Sequence, residues 1–350
     1  MSTKSTPASS SPRWKYLLKR SWPAIRVALS IALLWLATSG IDWEALFASE
    51  MQIEPLWFVA AAFCLTGAFL CGGLRWGLLM RSVGFEGSIA GYISLYVAGG
   101  LINQGLPSTL GGDSYRAITG SHLKRSGALA SSASEEKKLD TELHQEVNLE
   151  QADPKLRLGF AMTFVDRLIG LAGNNLLGGI GLILGGATLA AWGNQLGYAV
   201  IAVMVTSFLI AAIGLAWGPT RGLLQKILDR FRMGNALPGV RMAFGWPMNV
   251  AQALFSIGIH FLNILALGFC LKAYGAEVPI EALMIGLPAL SLLLVLPISI
   301  SGWGLREATL TSVLALWGVS PSLTVLGSIS FGAMTVLCFL PGAYVLLRRK

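Results

Sequence analysis

The sequence predicts an all-α polytopic membrane protein with about six full transmembrane helices and two inverted re-entrant, broken helical hairpins. Three observations carry that expectation. Hydrophobic residues make up 54% of the 350-residue chain, charged residues 13%, and mean hydropathy is +0.64; a soluble domain of this length has no use for so much apolar surface. The net charge of +8 gathers in a few patches instead of spreading along the chain. Two distant stretches, Leu106-Pro-Ser-Thr-Leu-Gly-Gly-Asp-Ser-Tyr-Arg116 and Leu296-Pro-Ile-Ser-Ile-Ser-Gly-Trp-Gly-Leu-Arg306, follow one pattern. Each has Leu-Pro, a glycine five residues after the proline and an arginine four residues later. Helix-breaking segments in corresponding halves of a membrane protein point to a transporter-like site.

Apolar windows fall near 22–39, 56–79, 89–106, 158–190, 197–217, 248–272, 282–297 and 322–347. A crossing takes about 20 residues. The windows 89–106 and 282–297 are shorter, and each runs into one of the repeated motifs; 308–318 is too short to cross alone. The first window lacks a persuasive cleavage site, so it reads as an uncleaved first helix. The domain is therefore 21–347, between a basic tail (1–20) and a basic C-terminus (348–350).

Charge sets the orientation. The tail (Lys4, Arg13, Lys15, Lys19, Arg20) has no acid, whereas the loop with Asp42, Glu44, Glu50 and Glu54 has no base. The segment 219–247 and the C-terminus are basic again. If 89–122 enters the bilayer, breaks at Pro107–Gly112 and returns, every basic cluster lies on the cytoplasmic face. The same reasoning makes 282–318 a hairpin entering from the other side. Eight full spans with one loop violating the charge rule is the alternative. A bacterial inner membrane with both termini cytoplasmic is the expected location. The patches follow the positive-inside pattern and are no nucleic-acid footprint.

Between the spans, 120–157 is polar and reads as a cytoplasmic loop. Leu223, Leu224, Ile227, Leu228 and Phe231 share one face of 219–233, which suits an amphipathic helix on the inner leaflet. Cys64, Cys71, Cys270 and Cys338 lie in apolar runs without metal-ligand spacing, and read as small packing residues. Gly178, Gly179, Gly181, Gly185 and Gly186 read as helix contact sites, since no strand precedes them to make a nucleotide loop.

Charges inside apolar runs are expensive unless paired or hydrated. This chain keeps Arg75, Asp113, Arg116, Asp166, Arg167, Arg306 and Glu307 there. Arg116 and Arg306 are expected to begin half-helices, where backbone N–H groups beside a guanidinium would hold a phosphate. Gly111, Gly112, Gly302 and Gly304 permit turns and close approach. Asn103, just before the first break, is positioned to cap freed carbonyls or touch ligand. The competing reading makes Asp113–Arg116, Asp166–Arg167 and Arg306–Glu307 local interface pairs, with Arg75 snorkelling to the headgroups. Asn249, Gln252, His260 and Asn263 share a helix face and are expected to pack by interhelical hydrogen bonds.

At these residues the chain resembles a known family. The run from Asn103 and Leu106-Pro107 through Gly111-Gly112-Asp113 to Arg116, then Asp166-Arg167 with Gly170, then Pro297 to Gly302, Gly304 and Arg306-Glu307, is similar to the lysylphosphatidylglycerol synthase transmembrane-region family. The resemblance covers about 20–347. It implies a flippase-like protein binding an anionic phospholipid or isoprenoid-linked lipid, with Arg116 and Arg306 on the phosphate and Asp113, Asp166 and Glu307 pairing the arginines or a cationic headgroup. Larger members carry a soluble synthase half; this chain ends at Lys350, so aminoacyl transfer is not expected. No ATP motif is present, which leaves passive or ion-coupled movement and no cofactor. A membrane-embedded enzyme or an accessory subunit in lipid or lipid-linked glycan metabolism is the competing function, and a homo-oligomer or partner enzyme is compatible with it.

Overall fold

A computed structural model describes residues 25, 27–36, 38–39, 52–105, 110–122, 154–189, 222, 225–226, 229–230, 248–294, 299 and 301–348. The described residues are mostly helical, with no strand among them. The helices are α1 (Val27–Leu36), α2 (Leu56–Ser82), α3 (Ile89–Gly105), α4 (Leu110–Ser121), α5 (Pro154–Leu184), α6 (Met248–Lys272), α7 (Ile280–Leu293), α8 (Leu305–Leu314), α9 (Pro321–Phe339) and α10 (Pro341–Leu347). The expected tail 1–20, the window 197–217, Pro107 and Pro297 lie outside the described residues, as do most of 120–157 and 219–247.

Four stretches are long and apolar enough to cross a membrane: Leu56–Ser82, Lys155–Leu184, Met248–Lys272 and Pro321–Leu347. The chain is a multi-pass membrane protein. Large exposed apolar side chains such as Phe63, Phe164, Leu254 and Leu337 sit on these stretches, where hydrocarbon and not water is the natural neighbour.

Between the long helices lie two pairs of short ones. At 1.5 Å per residue, α3 (17 residues) is about 25 Å long and α4 (12 residues) about 18 Å. Likewise α7 (14 residues) is about 21 Å and α8 (10 residues) about 15 Å. Each pair folds back on itself. Asn103 meets Gly112, and Gly99 meets both Gly112 and the Arg116 side chain. In the second pair Leu294 meets Gly302 and Gly286 meets Leu310. In both pairs the partner number rises as the first number falls, which is antiparallel packing.

The two halves share one order: long helix, short pair, long helix. Their leading helices, α2 and α6, pack along each other in opposite directions. The Glu54 N–H donates to Ala273 O (3.0 Å) at one end, Gly67 faces Leu262 midway, and Gln252 Nε2 reaches Arg75 O (3.4 Å) at the other. Among the described residues the main packings of one half have counterparts in the other: α4 on α5 matches α8 on α9, and α5 on α7 matches α9 and α10 on α3. The halves are thus inverted relative to each other. Leu65, Phe69, Ile264, Leu267, Leu271 and Leu310 fill a core between them, with Phe69 and Phe339 stacked (ring centroids 3.7 Å). Trp76, Tyr92, Leu95, Met162 and Val165 form a second core against the first short pair.

Gly178 and Gly181 of α5, and Gly185 just after it, are contact sites, as the sequence suggests. Gly178 lies against Pro288, Gly181 against Met284 and Gly185 against Trp317, so α5 and α7 approach closely. The four cysteines are unbridged.

Candidate functional site

Two buried ion clusters sit at the short pairs, one in each half. In the first, Arg75 Nε donates to Asp166 Oδ1 (2.8 Å) and its Nη2 to the Asp166 carbonyl (3.1 Å). Arg116 Nη1 reaches Asp166 Oδ2 (3.4 Å), and Arg116 Nη2 donates to Asp113 Oδ1 (2.7 Å). Arg167 Nε closes on Asp113 Oδ2. The result is an alternating ladder, Arg75–Asp166–Arg116–Asp113–Arg167, with an arginine at each end. Only Arg167 reaches out, its side chain 37% exposed; the other four residues are buried.

Aromatic rings hold the middle rung. The Arg116 guanidinium lies 5.1 Å from the Trp76 ring and 4.8 Å from that of Tyr96, a favourable cation–π setting out of water. Trp76 Nε1 donates to Thr163 Oγ1 (3.2 Å), which fixes the indole. Gly99 supplies the room: a Cβ there would fall 2.7 Å from Arg116 Cγ.

The second cluster is closed on itself. Arg306 Nε and Nη2 both donate to Glu307 Oε1 (3.0 and 2.9 Å), and Nε also lies 3.1 Å from Ser328 Oγ. Ser328 Oγ donates to Glu307 Oε1 (2.8 Å), and the Gly304 N–H to Glu307 Oε2 (2.7 Å). Glu307 therefore caps α8 while neutralising Arg306, and it is 0% exposed. Trp303 covers the guanidinium at 4.6 Å. A side chain at Gly332 would overlap it.

Ser301, between the helices of the second pair, touches the end of α3 in the first. Ser301 Oγ lies 2.6 Å from Asn103 O and 3.0 Å from Gln104 O, sharing its proton between two carbonyls that the end of α3 leaves without a helical partner. Ser301 holds φ +49°, with Gly302 (+81°) and Gly304 (+80°) beside it. Left-handed backbone is strained for serine, whereas the glycines take it at no steric cost.

Several expectations need correction. Arg116 does not begin a half-helix; α4 starts at Leu110, so Arg116 sits in its second turn, and only Arg306 lies at a helix start. Neither guanidinium is an open fork, because carboxylates occupy both. Asn103 caps an N–H, that of Gly112 (2.8 Å), and not a carbonyl. Asp166 and Arg167 are not each other's partners. Arg75 does not snorkel; it is 4% exposed, because Asp166 offers it a carboxylate and a carbonyl at depth. Gly111 and Gly112 lie within the first turn of α4 and make no turn, though Gly112 does allow the close approach expected of it, to Gly99. Gln252 does make the expected interhelical hydrogen bond, to Arg75 O, and His260 faces Gly170, whereas Asn263 bonds back along its own helix to Ile259 O. Trp76, Tyr96, Thr163, Ser301, Trp303 and Ser328 were missed. Among the described residues, no three His, Cys, Asp or Glu side chains converge as for a metal.

Comparison with known proteins gives one assignment. The profile of the lysylphosphatidylglycerol synthase TM region family matches residues 24–342. No curated protein and no solved structure matches. The chain belongs to the lysylphosphatidylglycerol synthase TM region family.

Proposed function

With that membership as premise, we propose that this protein moves an anionic lipid, a phospholipid or an isoprenoid-linked lipid, between the leaflets of a bacterial inner membrane. The observation that supports it most is the meeting of two antiparallel short pairs, from oppositely directed halves, each carrying a buried arginine and carboxylate. Helices of about 15–25 Å do not span a core of about 30 Å. Two such pairs entering from opposite faces and touching at Ser301 fit re-entrant hairpins, with both termini in the cytoplasm. Irregular backbone at that depth is tolerated where protein or a hydrated path surrounds it, and the bonds of Asn103 and Ser301 satisfy the backbone groups there.

In this reading the first cluster carries the phosphate and the second holds the fold. Each carboxylate of the first cluster has two arginine partners, so it stays neutralised when Arg116 turns to a phosphate. Trp76 and Tyr96 keep that guanidinium in place during the exchange. Glu307 has one arginine, and losing it strands a buried charge. Headgroup passage is therefore assigned to Arg167, Arg116 and Arg75, with Arg306 structural.

Arg116→Gln tests this assignment in reconstituted vesicles. Asp113 retains Arg167 and Asp166 retains Arg75, so the variant should keep most of its thermal stability. It loses a charge-assisted contact of about 1.5–3 kcal/mol, so anionic-lipid translocation should fall about tenfold or more. Arg116→Lys should restore part of it, since the ammonium keeps the charge without the fork. A stable Arg116→Gln protein that moves lipid at the wild-type rate contradicts the assignment.

A further inference from the structure

The ladder has a loose end. Arg75 is bound by Asp166 through Nε and Nη2, yet its Nη1 is buried with no hydrogen-bond partner among the described residues. What lies near it is set by an absent side chain. A Cβ on Gly170 would stand 3.6 Å from Nη1, 3.3 Å from Nη2 and 3.8 Å from His260 Nε2. The space left by Gly170 is thus bordered by a guanidinium edge from α2 and an imidazole from α6, one from each half.

A buried guanidinium N–H without an acceptor is costly. A water satisfies the hydrogen bond but adds no negative charge. Among the described residues Arg75 has one carboxylate partner, Asp166, and shares it with Arg116. An anionic oxygen meets both needs, because it accepts the N–H and completes the charge on the inner end of the ladder. The ladder also has direction. It runs from half-exposed Arg167 through Arg116 to buried Arg75.

We propose, resting on the lipid-moving reading, that Arg75 Nη1 and the notch at Gly170 form the innermost subsite for a phosphoryl oxygen of the transported lipid. The group occupies it after passing Arg116, when its tails are still in one leaflet and its headgroup lies between the two halves. Arg75 is then a ligand-contacting residue, and Gly170 is glycine because a methyl would fill the oxygen's place.

The test uses the full chain in detergent, titrated calorimetrically with dihexanoyl phosphatidylglycerol and, separately, inorganic phosphate. Gly170→Ala adds one methyl within a helix and keeps every charge; Arg75→Lys keeps the charge and removes Nη1. Both should weaken phosphatidylglycerol binding about tenfold or more, with Gly170→Ala melting as the wild type does. Gly258→Ala, a helical glycine with open space around it, should bind as the wild type. Wild-type affinity in Gly170→Ala overturns the subsite, whether or not Arg75→Lys folds, while leaving the lipid reading intact if the wild type binds the lipid. No binding of the lipid by the wild type removes that reading and the subsite together. Inorganic phosphate binding as tightly as the lipid, with the same loss in Gly170→Ala, overturns the lipid as the source of the phosphoryl group.

Discussion

Glu307→Ala is expected to destabilise the protein by about 3–5 kcal/mol, the cost of breaking a buried pair from one side. Glu307 receives Arg306, Ser328 and the Gly304 N–H, all at 2.7–3.0 Å, with no exposed surface. Alanine leaves the guanidinium charged between Trp303 and Gly332, with only Ser328 as acceptor. It also removes the cap on α8, a further loss of about 1 kcal/mol. Glu307→Gln keeps an acceptor for Arg306 and one of the bonds, and should lose less. Thermal unfolding in detergent, followed by circular dichroism, reads the difference. A Glu307→Ala protein as stable as the wild type contradicts the structural role given to the second cluster.

Gly112→Ala should be comparably severe for a steric reason. The new Cβ would lie 2.0 Å from the Gly99 carbonyl oxygen and 2.6 Å from Asn103 Oδ1. The first obstacle is backbone, so no rotamer change relieves it; α3 and α4 must part, and the Asn103 cap on Gly112 goes with them. Overpacking usually costs about 1–3 kcal/mol, and this contact belongs at or above the upper end. Gly258→Ala is the control: with open space at its Cβ, it should be neutral or stabilising by up to about 1 kcal/mol. Equal melting temperatures for wild type and Gly112→Ala would show that α3 and α4 do not pack as described.

The short pairs were legible in the sequence because glycine and buried charge are conspicuous in apolar runs. The residues of the ion clusters were legible for the same reason, since Arg75, Asp113, Asp166 and Glu307 stand out where hydrocarbon is expected. Their pairing was not. Arg75 meets Asp166, and Arg167 meets Asp113, through the packing of α2, α4 and α5, and adjacency in the chain suggested Asp166–Arg167 instead. The difference between the clusters was hidden too. Ser328 looks like any small polar residue of a membrane helix, and nothing in Leu-Arg-Glu announces that Glu307 turns back to cap its own helix. Tyr96 and Trp76 read as core aromatics until Arg116 lies between them. Arg116 and Arg306 hold matching places in the repeated motif, and the surrounding side chains give them different work.

Movement of an anionic lipid across the bilayer can be measured directly. The purified chain is reconstituted in phosphatidylcholine vesicles carrying a trace of headgroup-labelled phosphatidylglycerol, and the inner-leaflet label is followed by its access to an impermeant quencher. Phosphatidylglycerol is expected to become accessible far faster than in protein-free vesicles and faster than equally labelled phosphatidylcholine. The claim is contradicted if phosphatidylglycerol crosses at the protein-free rate.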